Sequence, residues 1–294
     1  MKSIRTDSIV SALIQRKKHL NKTKKKLKRF VFKPGRSMKT LERTYFKEIK
    51  AIITQAKDIV NKVLTPKISL LVSLRDSLRP KADAASDIRH DSWVDALKAA
   101  MATVRIEFED TNYSQKAASI AFAQAKKINK INAEDFGKNF QKALGVPTIN
   151  LEPWLQEEMK AFTATNVSYI KSIPEVYFQQ IESRISNMVQ QGRVTDEIAN
   201  EIQNRYNVSE SKAALIARDQ TNKFNGSLSQ LRQQEVGVTQ YEWSTSLDER
   251  VRPEHAEREG ETFDWSDPPE DGPPGIPINC RCEALAVIDF DSEE

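Results

Sequence analysis

The sequence is poor in the residues that build covalent frameworks. Its 294 residues hold two Cys, three His and nine Gly. Two cysteines cannot make a disulfide scaffold, so the expected compartment is reducing. Long apolar runs are also missing. The longest, "ISLLVSL" (Ile68 to Leu74), is far too short to cross a bilayer, so no membrane partner is expected. The N-terminus has no apolar core between its basic residues, which predicts no secretory signal. Gly and Pro are scarce outside the C-terminal region, and no repeat of solenoid type is visible. With 39% hydrophobic and 29% charged residues, the chain reads as a soluble, helix-rich protein of roughly two domains.

Acidic residues are nearly absent from the first 39 positions. That segment carries 14 Lys/Arg and one acid, Asp7, giving +13, whereas the whole chain carries +4. The remainder therefore carries −9. Eleven basic residues and no acid lie from Arg16 to Arg36. Such a block is expected to be a mobile arm that meets a polyanion, because binding relieves its self-repulsion. Lys17, Lys18, Lys22, Lys24, Lys25, Lys26, Lys28 and Arg29 are the candidate DNA contacts. The interleaved Leu27, Phe30, Val31 and Phe32 predict that the end of the arm docks on the body.

Helical periodicity dominates from Leu41 onward. Tyr45, Ile49, Ile52, Ala56, Ile59 and Val63 are spaced like a coiled-coil seam, closed by Thr65-Pro66. Trp93, Leu97, Ala100, Val104 and Phe108 make a second stripe. Helices are expected over 114–131 and 134–144, with Gly145 as C-cap. "VPTINLEP" (146–153) reads as a hinge. Two further helices, around 155–170 and 178–191, and two more opened by the N-caps Thr195 and Ser209, complete the series. "TQYEWSTS" and "CEALAVIDF" read as strands flanking a Pro/Gly-rich loop. The expected fold is mainly α with a small α+β C-terminal module: a helical N-terminal region, then short strands near the C-terminus. The expected division is 1–39 basic arm, 40–145 helical region, 146–194 hinge and connecting helices, and 195–294 C-terminal module.

Chemistry-bearing residues concentrate between Arg218 and Cys282. They are Arg218, Asp219, Asn225, Trp243, Asp248, Arg250, Arg252, His255, Cys280 and Cys282. On an extended segment, Cys-x-Cys points both thiols to one face. The residues alone leave three readings open. One is a strained disulfide. The second is zinc bound by both thiolates and His255, with Asp248 as a fourth ligand. The third is a pair of small buried hydrophobes. Arg250 and Arg252 also read as surface ion-pair partners, and Trp243 as core.

These residues also carry a resemblance. Ile216-Ala217-Arg218, Gly237, Trp243, Asp248, Arg250-x-Arg252, His255, Gly260 and Cys280-Arg281-Cys282 occur in one fixed order. In that order the chain resembles the Mu F-like minor head proteins of tailed bacteriophages, specifically over about 195–282 and more loosely over 154–192. The resemblance implies a head-morphogenesis protein in the virion, inside the capsid, made in the host cytoplasm. Its implied partners are the portal and other head proteins, and its implied roles are procapsid assembly and DNA packaging or delivery. It also implies that both thiols belong to one compact module with His255 and Asp248. A zinc cross-link would suit a loop too Pro-rich to pack alone. The rival reading is a zinc-dependent hydrolase or nuclease-like enzyme using Asp248, His255, Cys280 and Cys282, or His255 with Asn279. No His-Glu-x-x-His motif accompanies it.

Overall fold

The computed structural model describes residues 29–78, 91–148 and 152–289. The chain is mainly helical, with one small antiparallel sheet. The elements are β1 (Arg29–Val31), α1 (Lys39–Val63), α2 (Thr65–Leu78), α3 (Asp91–Glu109), α4 (Tyr113–Leu144), α5 (Leu155–Gln190), α6 (Thr195–Glu235), β2 (Gln240–Ser244), α7 (Pro253–Glu257), β3 (Thr262–Asp264) and β4 (Glu283–Asp289). Among the described residues, no helix is long and apolar enough to cross a membrane.

Three expected helix breaks are absent, each for an identifiable reason. α4 runs unbroken through Asn132, whose buried side chain donates to Asn225 and Ser229 instead of turning the chain. α5 runs through Pro174. The ring removes one backbone N–H, but Ile170, Ile173, Tyr177 and Phe178 are all buried around it, and that packing outweighs one lost hydrogen bond. α6 runs through Ser209, whose hydroxyl donates to the Arg205 carbonyl four residues back rather than capping a new helix.

The helices and sheet form two compact units that interleave in sequence. Among the described residues, one comprises those within 44–122 and 163–217, the other 29–43 and those within 123–162 and 218–289. Residues on both sides of the 146–153 segment, 123–148 and 152–162, therefore lie in the same unit. The first unit is all helix. Tyr45, Ile49, Ile52, Ala56, Val60 and Val63 form the buried seam of α1, and they pack with Trp93, Leu97, Val104 and Phe108 of α3 and with Ile181 and Ile185 of α5. At its centre the Tyr45 hydroxyl donates to Asn166 Oδ1 at 2.7 Å, which satisfies a buried phenol.

The second unit holds the sheet, in strand order β1-β4-β2-β3. β4 pairs with β1 (Phe30↔Ile288) and with β2 (Tyr241↔Ala286, Trp243↔Ala284). Large side chains of β2 thus stand opposite alanines of β4. The expected docking of Phe30, Val31 and Phe32 is realised as strand addition, and Phe32 continues it with an N–H bond to the Ala286 carbonyl. Phe32 then packs on Phe136. Leu27 and the lysines from Lys17 to Lys28 lie outside the described residues. The expected arm is therefore folded from Arg29 on, and the Arg29 guanidinium binds Thr262 and Glu242.

The Pro/Gly loop is seated on α6 by backbone contact. A Cβ on Gly275 would stand 3.4 Å from the Gly226 Cα, and a Cβ on Gly226 would stand 2.9 Å from the Pro274 carbonyl oxygen. The glycine that weakens α6 by propensity is thus the one that admits the loop. In an open helix Gly→Ala gains about 1 kcal/mol. Here the sign should reverse: Gly226→Ala should destabilise by about 1–3 kcal/mol through overpacking. Urea unfolding checks this, and a stabilised variant would refute the close approach.

Candidate metal and anion site

The site is assembled on one left-handed turn. Asn279 has φ 59°. Its side-chain oxygen accepts from Arg218 Nε at 2.8 Å, and its backbone N–H donates to Asp219 at 2.9 Å. Arg218 and Asp219 are neighbours on α6, so the helix grips the turn twice. Asn is one of the few residues that tolerate this conformation. Immediately after the turn, just before β4, the chain presents Cys280 and Cys282.

Both thiols face one imidazole. His255 Nδ1 lies 3.6 Å from Cys280 Sγ and 3.5 Å from Cys282 Sγ. All three side chains are buried, and their ligand atoms lie within 4.8 Å of one another. The thiols are free, with no disulfide between them. The other ring nitrogen, Nε2, lies 2.9 Å from Asp271, which also accepts from Arg258. Asp271 thus fixes the ring so that Nδ1 is turned to the sulfurs. Trp243, fully buried, packs edge-on against His255 at 5.1 Å, and Arg258 lies over the indole face.

The electrostatics distinguish the two sulfurs. The Cys282 thiol, the Gly275 and Cys282 backbone N–H groups and His255 hold Cys280 well below the usual thiol range against the opposing effect of burial. Cys282 is pushed up by its neighbour Cys280 and by burial. The Trp243 indole N–H, buried without another partner, acts on Cys282 in the opposite sense. One negative charge shared by two close sulfurs is the physical cause.

Asp248 does not join this cluster. It accepts from Arg281 at 3.4 Å and from the Arg250 backbone N–H at 3.1 Å. Arg252 donates to the Ile278 carbonyl at 2.7 Å, bracing the turn from the other side. Asn225 serves the Asn132 network instead. The side chain of Arg250 is exposed. Asp248, Arg250, Arg252 and Arg281 nevertheless line one cavity of about 80 Å³ together with His255 and both cysteines. Asp271 escaped the sequence reading, because "PPEDGPP" offers two adjacent acids and no periodicity to choose between them.

The order Arg218, Trp243, Asp248, Arg250, Arg252, His255, Cys280, Cys282 is now one spatial unit. Residues 179–285 match the family described as phage Mu protein F like protein. This part of the chain is Mu F-like. The family is described as a bacteriophage one. An uncharacterized protein of Haemophilus influenzae is 29% identical over 262 residues, covering 88% of this chain and 56% of that protein. The chain thus spans about half the length of the curated relative it matches. No solved structure matches the chain.

Within the Mu F-like segment, Asp271 is held below the ordinary carboxylate range. Its partial burial opposes this, and the hydrogen bonds from His255 and Arg258 overcome it. A depressed carboxylate contributes stability that is fully present above its ordinary value and is lost as pH falls through the folded value. Asp271→Asn should therefore lose less stability than the parent between pH 5 and pH 3. Parallel acid titrations of unfolding free energy measure this, and equal slopes would remove Asp271 from the account.

Proposed function

We propose that the protein is a minor head protein that acts beside the portal, inside the phage capsid, in procapsid assembly and in DNA packaging or delivery. The observation supporting this is the Mu F-like match over 179–285. Its partners on this reading are the portal, other head proteins and DNA, met in the host cytoplasm and then in the virion. A pull-down of the full-length protein with the co-encoded portal tests it. Heads assembled normally without the protein, with full DNA content and infectivity, would refute it.

The C-terminal module is held together on this reading by one zinc ion on His255, Cys280 and Cys282. Bonds of 2.3 Å to sulfur and 2.0–2.1 Å to nitrogen in tetrahedral geometry place S and N about 3.5–3.6 Å apart. The two observed N···S distances, 3.5 and 3.6 Å, fit that spacing. Asp271 behind the ring supplies the carboxylate–histidine support that metal-bound imidazoles usually have. Asp248, expected as a fourth ligand, is engaged by Arg281. The purified protein should carry about one zinc per chain, and Cys282→Ser should lose it. Asp271→Asn should weaken zinc binding by about 10–100-fold. Metal-free protein with unchanged thermal stability after zinc addition would reduce the cluster to buried thiols.

The N-terminal basic segment contacts DNA through Lys17, Lys18, Lys22, Lys24, Lys25, Lys26 and Lys28. Arg29 leaves that set, since its guanidinium is engaged within the sheet. If about 5–7 phosphates are neutralised, log affinity should fall with log salt at a slope near −5 to −6. Binding should ignore sequence, as backbone contacts do. Deleting residues 1–28 should abolish it. Undiminished DNA affinity after the deletion would exclude the segment, whereas lost head incorporation without any DNA binding would make it a protein-docking element.

A hydrolase or nuclease-like reading has one observation in its favour: all three candidate ligands border the same cavity. Catalytic zinc sites keep such an open side. Loss of a hydrolytic activity on chelation, with the fold retained, would favour it.

A further inference from the structure

We infer that the cavity beside His255, Cys280 and Cys282 binds a phosphate group, placed at the open fourth position of the metal. The inference rests on the zinc reading above and adds the ligand to it.

Three observations carry it. First, three protein ligands leave a tetrahedral ion one position short, and all three line the same cavity. Its volume of about 80 Å³ has room for a few waters or one small oxyanion. Second, the lining is cationic. Arg250, Arg252 and Arg281 face a single carboxylate, Asp248, which gives three positive charges against one negative. Zinc with two thiolates and a neutral imidazole adds no net charge, so the excess of two stays uncompensated by the lining. Third, the arginines are incompletely used. Arg281 Nε is buried with no hydrogen-bond partner, although the same guanidinium reaches Asp248 at 3.4 Å and Glu42 at 4.0 Å. A buried unpaired donor is costly unless a ligand meets it. Arg250 is an exposed residue of the same lining.

The planar fork of arginine matches a tetrahedral oxyanion, and two forks beside a metal select phosphate over a monovalent ion such as chloride. Arg252 is a brace rather than a ligand, because it is engaged by the Ile278 carbonyl. Asp248 works against the anion. It keeps the Arg281 guanidinium in place and repels excess negative charge, so the site favours one phosphate group over a polyphosphate. A free phosphate and a phosphodiester of the nucleic acid backbone offer the same chemistry.

The test uses full-length protein loaded with cobalt(II), whose visible spectrum reports the ligands of a tetrahedral site. Inorganic phosphate should change that spectrum saturably, and the ³¹P line of bound phosphate should broaden. Chloride at the same ionic strength should do neither. Arg250→Gln should weaken phosphate binding about tenfold, the loss of one charge-assisted hydrogen bond, with cobalt affinity unchanged. Asp248→Asn should strengthen it. A short single-stranded oligonucleotide without terminal phosphates separates the sources: broadening of its internal phosphorus lines beyond that caused by the zinc-loaded protein identifies the DNA backbone, and no such excess beside a response to inorganic phosphate identifies the free ion. Cobalt bound with a spectrum indifferent to both probes would overturn the phosphate site and leave the metal reading standing. Protein that binds no cobalt would overturn both.

Discussion

Where the two sulfurs stand is decided by Asn279. The backbone there takes a left-handed turn, and such a turn stays put only when something holds it. Arg218 and Asp219 hold it from α6, and Arg252 holds the preceding carbonyl. Without that grip the strand entering β4 could rotate, and the thiols would lose their common direction towards His255. Arg252, which a sequence reading assigns to a surface ion pair, therefore serves with Arg218 to fix a turn. Imidazole, indole and thiol groups can then be packed against one another, with one nitrogen of the His255 ring met by Asp271 and the other turned to both sulfurs.

The second dependence runs through the loop before that turn. It contains too many prolines to build a ladder and too few large apolar residues to form its own core. Its order comes from contact with α6 at Gly226 and Gly275 and from Asp271, which reaches His255 and Arg258. A histidine on a five-residue helix, a loop without regular structure and a closing strand are thereby tied into one shell. Metal ligation would add a third tie at the point where the other two converge.

Much of this was legible in the sequence, and the rest was hidden for identifiable reasons. The stripes of α1 and α3 were readable because buried apolar residues recur at helical spacing over many turns. The two Cys and His255 were readable because both residue types are rare and share one short segment. The helix boundaries at Asn132, Pro174 and Ser209 were misread because local signals favour a break there while long-range packing and side-chain bonds keep each helix whole. Asp248 was expected as a fourth zinc ligand, but it is engaged by Arg281, and the carboxylate that meets His255 is Asp271, within the Pro/Gly loop. Burial also raises groups no pattern marks: the Tyr241 hydroxyl, pushed up to about 12, is one.

The pairing of β1 with β4 has a consequence for how the protein comes into being. Arg29 faces Asp289, so the sheet is complete only when 260 further residues have been made. At ribosomal rates of 5–20 residues per second that takes roughly 13–50 s. During this interval β1 is an unpaired strand beside a block of lysines, while the helical unit over 44–122 and 163–217 has all its parts as soon as residue 217 is made. Like-charge repulsion in the neighbouring basic segment discourages two such nascent strands from pairing with each other. The charge of the basic segment thus protects the unfinished protein from its own copies.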